Sequence, residues 1–412
     1  MLTCHPARPD GIAVPNRTEQ VLLTLAGLAY RGFHDLLRGA PHADAVRGAL
    51  LDGLHTLPPV KDEWTPVWGP VWSRSGPDAF DSAAMYVVQH RRAPTRYVVA
   101  IRGTNPISAS DWLFGDFWVS ATVPWPYARA ADEVAISASS ALGLSKLQAM
   151  RSPRLALAPG PDGRRRAPTQ DAVHAQVAQI AQAWRRFIEG PTGWLQNHVV
   201  DRLKAAVSLP WMDLRPRSLV APDESGLDLL TFLSDEAHAA GEALDVVVTG
   251  HSKGGALAAV VALWLRELLV SPDVVERWDG GRGARVACHA FGAPTPGNGA
   301  FADRIDAVLG TDHHHLRNMN DVTTHAWQVD ELEQIPELYS PRRTVLEPVI
   351  PVIVTKVKAI DYRQARSGVT TFKGALRAKR SFEAEFVHQH LDAYLAELGL
   401  LGKEMSAPTF FF

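Results

Sequence analysis

The chain has 412 residues, 46% of them hydrophobic, enough to build one large core with additions. Its 42 Lys and Arg stand against 44 Asp and Glu, which excludes the broad basic field that draws nucleic acid or an anionic membrane. The 2 cysteines, Cys4 and Cys288, are too few for a disulfide framework and read as free thiols of a reducing compartment.

The N-terminus, from Met1 to Pro9, lacks a basic start, an apolar core and a small-residue cleavage site. The expectation is therefore a cytoplasmic protein, with signal-independent export left open. The apolar stretch from Val21 to Tyr30 is about half a membrane span, and the run from Val349 to Val354 is shorter still and contains Pro351. No segment is expected to cross a bilayer.

In chain order, residues 18–38 read as a first helix capped by Thr18, and Trp64 to Trp72 as a strand or paired strands. Ala84 to Gln89 and Arg96 to Arg102 read as a β-hairpin. From 127 to 240 the spacing of Val173, Val177, Ile180 and Trp184 is helical, interrupted by a Gly/Pro/Arg-rich loop from Pro159 to Pro168. This block is taken as a helical insertion within one domain covering 1–412. Leu244 to Thr249 then reads as a buried strand and Gly254 to Val270 as a helix apolar around most of its circumference. Strands follow at Ala284 to Phe291 and His314 to Met319, with a possible strand across Val349 to Lys356. A last helix carries Leu391, Tyr394, Leu395 and Leu398 on one face. Alternation of this kind predicts an α/β fold with a largely parallel central sheet.

Between the buried strand and the apolar helix stands Gly250-His251-Ser252-Lys253-Gly254-Gly255, a G-x-S-x-G in the strand–turn–helix context where that motif presents a serine nucleophile. The glycines remove side chains that would clash in so sharp a turn. Their spacing fits neither G-x-G-x-x-G nor the phosphate-binding G-x-x-x-x-G-K-[ST]. A serine needs a histidine to take its proton and a carboxylate to orient the histidine, in the chain order Ser, acid, His. Asp321, directly after a predicted strand, is the acid candidate, with a turn-forming Asn-Asp pair as the blander reading. His390 is the histidine candidate, with His388 as the alternative. His313, His314 and His315 form a run, but strand alternation sends neighbours to opposite faces, so no metal site is expected there.

These residues resemble the class 3 lipases, the group of the fungal triacylglycerol lipases, as a bacterial-type relative. Four pieces match in order: Val99 to Thr104 with Asp111-Trp112-Leu113; the elbow Thr249 to Ala258; Phe291 to Pro294 with Gly297-Asn298; and Asn320-Asp321-Val322 with a later histidine before a Tyr-Leu helix. The resemblance implies an α/β-hydrolase fold, a Ser252–Asp321–His390 triad, and an oxyanion hole built from Thr104 and the backbone N–H of Lys253. The segment Gln389 to Tyr394 looks most like the family's closing segment, which favours His390 over His388. Two departures stand out: Lys253 where leucine is more usual, and the long block from 127 to 240.

The implied activity is hydrolysis of carboxylic esters, acylglycerols first, at a site that needs no metal or organic cofactor. The substrate is an ester or lipid, met at a lipid–water interface if the family habit holds. A short-chain carboxylesterase or an acyltransferase would use the same residues, and a non-catalytic binding protein would keep the same fold. The apolar loop from Pro106 to Trp118 fits a lid or acyl-contact surface and equally a plain core contact.

Overall fold

The computed structural model describes residues 16–31, 43–72, 83–103, 118–153, 226–270, 277–341, 347, 350–377 and 381–402. Two helices open the chain, α1 (Arg17–Leu28) and α2 (Ala43–Thr56). Three strands follow: β1 (Trp64–Trp72), β2 (Ala84–His90) and β3 (Ala93–Arg102). A small hairpin pairs β4 (Thr122–Pro124) with β5 (Ala135–Ser137) ahead of α3 (Ala138–Ala149), and β6 (Arg151–Ser152) pairs with β7 (Leu227–Asp228). The rest comprises α4 (Leu229–Ala240), β8 (Asp245–His251), α5 (Lys253–Val270), β9 (Arg285–Phe291), α6 (Gly299–Val308), β10 (His313–Asn318), α7 (Val329–Leu332), α8 (Ile350–Val357), β11 (Val369–Phe372), α9 (Phe382–His390) and α10 (Asp392–Glu397).

Seven strands form one sheet in the order β1-β2-β3-β8-β9-β10-β11. The β1–β2–β3 edge is antiparallel, and every pairing from β3 to β11 is parallel. Strand alternation divides the side chains between two cores. Val99, Ile101, Val246 and Val248 face a core shared with α3, α4 and α5, while Val98 and Ala100 face α1 and α10. With both faces covered, β8 can be a nearly unbroken apolar run. Helix α5 is buried on every side from Gly254 to Leu265, which is why its sequence lacks a polar stripe. A third cluster, holding Val119, Trp327, Ile335, Ile350, Ile353 and Phe386, lies apart from both cores.

Several expectations need correction. The first helix ends at Leu28 and is capped by Asn16, whose side chain accepts from the Thr18 amide, so Thr18 lies inside the helix. The part of that expectation from 32 to 38 falls outside the described residues. Residues Val349 to Lys356 are not a strand: 350–357 form α8, whose buried Ile350, Ile353 and Val357 follow a helical spacing. Pro351 stands in the first turn, where its missing N–H costs no hydrogen bond. Trp64 to Trp72 is one strand. Of the block from 127 to 240, residues 154–225 lie outside the described residues, including the Pro159 to Pro168 loop. Thr104 and residues 106–117 lie outside them as well. Among the described residues, no helix is long and apolar enough to cross a membrane.

Candidate active site

Ser252 stands between β8 and α5 with φ 61°, a left-handed conformation that costs a non-glycine residue energy and persists where the surroundings over-determine it. Here they do. A Cβ on Gly250 would collide with the Gly254 carbonyl, and one on Gly254 with the Ile101 carbonyl and, at 2.7 Å, with the Gly103 amide. The two motif glycines thus let the turn close on itself and let the end of β3 abut the start of α5. The Ser252 amide donates to Phe291 O at 2.9 Å, which pins the turn to β9. Lys253 opens α5, where the first amides of a helix have no partner within it and the helix dipole favours negative charge.

Asp321 follows β10 and is fully buried. Its Oδ1 accepts from the Thr323 amide at 2.9 Å, and its Oδ2 accepts from Tyr394 Oη at 2.9 Å. The same Oδ2 lies 2.8 Å from His390 Nδ1, and a carboxylate only accepts, so Nδ1 carries the proton. That leaves Nε2 of a neutral ring as the basic nitrogen. Thr323 Oγ1 stands 3.0 Å from the same Nδ1. Burial, and next the charge of Asp321, push the Tyr394 hydroxyl well above the usual phenol range, so it stays protonated and remains a donor.

The two candidate histidines part company. His390 ends α9 and meets Asp321, whereas His388 Nδ1 faces Asp392 at 3.2 Å, a carboxylate already paired with Arg377. Asn318 ties the acid loop to α9, donating to Gln389 O and to Gln389 Oε1, each at 2.8 Å. His251 brings this assembly to the elbow: its Nε2 lies 2.8 Å from His390 O, and the two rings lie 4.5 Å apart. In the histidine run, His313 Nδ1 reaches Ser367 O, His314 stacks on His289, and His315 Nε2 accepts from the Ala293 amide.

Beside Ser252 and Lys253 lies a cavity of about 50 Å³ walled by Val119, Leu257, Trp327, Ile335, Ile350 and Ile353. Reading the sequence missed this wall because the α8 segment was taken for a strand. It also missed Thr323, and it used Tyr30 and Tyr394 only as apolar positions. The available signal was chemical: a tyrosine in a buried helix needs a partner for its hydroxyl.

A largely parallel sheet flanked by helices, with a serine on a strained turn between a central strand and a buried helix, defines an α/β-hydrolase-type fold. Within that class, residues 229–330 match the model of the class 3 lipase family, Lipase (class 3). The crystal structure of M37 lipase is similar over 93% of this chain and 93% of that chain, with a TM-score of 0.68 and 25% sequence identity. Lipase-like PAD4 of Arabidopsis thaliana is 37% identical over 78 residues, 19% of this chain, and the match spans only 13% of that protein's length.

Proposed function

We propose that this protein hydrolyses carboxylic esters of acylglycerols with Ser252 as nucleophile, His390 as general base and acid, and Asp321 as the group that orients His390. The observation that carries the reading is a buried His390–Asp321 hydrogen bond of 2.8 Å held against a strand–turn–helix elbow whose serine has φ 61°. Ser252 Oγ attacks the ester carbonyl while His390 Nε2 takes its proton. The imidazolium that forms is stabilised by the Asp321 carboxylate. The tetrahedral oxyanion accepts from the Lys253 amide and from the amide of Thr104, the residue that follows Gly103. His390 then protonates the departing alcohol. Water, deprotonated by the same nitrogen, attacks the acyl-enzyme and releases the acid.

A second reading, a short-chain esterase, has one observation in its favour. The apolar cavity beside Ser252 is small, about 50 Å³, which favours a short acyl group. A bacterial-type origin, a single domain over 1–412 and a cytoplasmic site of action belong to the same proposal. The test is phosphonate labelling followed by mass spectrometry, together with hydrolysis rates for p-nitrophenyl esters from acetate to palmitate and for emulsified triglyceride. Label on Ser252 with turnover of emulsified triglyceride supports the lipase reading. Turnover confined to acetate and butyrate moves it to the esterase, and absence of label on Ser252 rejects both.

A further inference from the structure

His251 occupies the variable position before the nucleophile, where only the flanking glycines and the serine are required by the turn. It is 1% exposed, and its ring lies among aromatic neighbours: His390 at 4.5 Å, Tyr394 at 5.7 Å and Tyr30 at 6.4 Å between centroids. Its Nε2 lies 2.8 Å from the His390 carbonyl, and since a carbonyl only accepts, Nε2 carries the proton and donates. That carbonyl belongs to the last residue of α9, where helix carbonyls have no acceptor role left within the helix and need an outside donor. His251 supplies one. Its own carbonyl accepts from Tyr30 Oη at 3.0 Å, and Tyr30 Oη accepts in turn from the Gly103 amide at 3.1 Å. One buried residue is thus fastened at its backbone to the turn after α1 and, through Tyr30, to Gly103 after β3, at its ring to α9, and through one peptide bond to Ser252.

We propose that His251 is a positioning residue that sets the relation between Ser252 and His390, an inference that rests on the serine-hydrolase reading above. The His390 ring has two ring neighbours: His251, tilted at 45° and 4.5 Å away, and Phe386, stacked at 24° and 5.8 Å away. With these two rings against it, its carbonyl held and Nδ1 on Asp321, the ring has little freedom to turn away from the elbow. His251 can do this without competing for the proton. Burial, and next the neighbouring His390, hold its imidazole well below the ordinary histidine range, so it stays neutral while His390 gains and loses charge. An apolar residue of similar size would fill the space and leave the His390 carbonyl without this donor.

The test compares His251→Leu with His251→Gln in the full chain, because glutamine keeps an amide donor at similar reach. His251→Leu should lower kcat by on the order of a hundred-fold, the scale of about 1 Å of misplacement, with KM within about threefold of wild type. His251→Gln should recover most of that loss. Proton NMR should show the His390 Nδ1 proton far downfield in wild type and in the glutamine variant, and shifted or broadened away in the leucine variant. If His251→Leu does not fold, His251→Asn, whose amide stops short of the carbonyl, replaces it. A folded leucine variant with wild-type kcat, or a glutamine variant no better than leucine, overturns the proposal. Phosphonate labelling of the wild type keeps the two readings apart: no label on Ser252 rejects the serine-hydrolase reading, while the downfield resonance still reports whether His251 orders His390.

Discussion

Helix α8 walls the cavity beside Ser252 with Ile350 and Ile353, and Ile353 is 3% exposed. Replacing Ile353 by alanine removes three side-chain carbons from that wall, so a substrate about three methylenes longer can occupy the vacated space. At about 0.8 kcal/mol for each buried methylene, the longer chain gains at most about 2.4 kcal/mol. With tenfold in rate for roughly each 1.36 kcal/mol, the ratio of kcat/KM for the longer ester to that for the shorter should rise by up to about sixty-fold. Partial collapse of the site will reduce the gain, and the same substitution should cost about 2–5 kcal/mol of stability, visible as a lower melting temperature. The assay is kcat/KM across p-nitrophenyl esters from acetate to palmitate, measured below the melting point of the variant. The expected result is an optimum moved about three carbons toward longer chains. A folded Ile353→Ala protein with an unchanged chain-length profile would refute the placement of the acyl chain against α8.

Ser252→Ala should lower ester hydrolysis by on the order of a million-fold with an unchanged melting temperature; a few per cent of residual activity would mean another nucleophile. His390→Ala should be inactive and His388→Ala close to wild type, since only His390 reaches Asp321, and comparable activity in the two would reject the assignment. Tyr394→Phe should cost about 1–3 kcal/mol of stability, because it removes a donor from Asp321 Oδ2 and an acceptor from the buried Asn318 amide; a denaturation midpoint equal to wild type would contradict this. Stability should also fall on acidification. Burial, and next the neighbouring His314, push the His289 imidazole down to about 3 from 6.5, so the unfolded chain binds the proton first. Its contribution is whole above about pH 6.5 and is lost as pH falls toward 3, amounting to about 2 kcal/mol by pH 5. Thermal melts from pH 8 to 5 should flatten in His289→Asn, and an unchanged slope would remove this histidine from the acid response.

Legibility in the sequence follows how local each determinant is. The elbow was readable because its constraints are intrinsic to six residues: glycines that meet backbone on both sides and a serine forced to a positive φ. Asp321 was readable as a candidate from its place after a strand, and His390 and His388 from the chain order, but only the resemblance favoured His390, since nothing local separates the two. What separates them is distant packing, Asp321 against one and Asp392 against the other. Helix α8 was misread for a physical reason. Ile350, Val352, Ile353 and Val354 are β-branched, which favours a strand locally, and the helical placement of Ile350, Ile353 and Val357 against the third cluster overrides it. Tyr30 looked like the end of an apolar face because a hydrogen bond 221 residues away leaves no trace in the neighbouring sequence.

The same distinction accounts for where the family description matches. Residues 229–330 hold α4, β8, α5, β9 and β10 with the loop carrying Asp321, so the proposed nucleophile and acid, Ser252 and Asp321, both arise from one run of the parallel sheet. His390 comes from outside that run, on α9, and is held at the site by hydrogen bonds to both backbone and side chains of α9 and α10. Asn318 bonds the Gln389 carbonyl, His251 bonds the His390 carbonyl, and the Asn318 amide donates to Tyr394. Carbonyls are present whatever the side chain, but the Gln389 side-chain amide and the Tyr394 hydroxyl also take part, so the segment that delivers the histidine contributes side chains of its own. Inside the matched run, the donors to its carbonyls are Asn318 and His251. Substitutions at Asn318 and His251 should therefore disturb the placement of His390, although neither bonds its Nδ1.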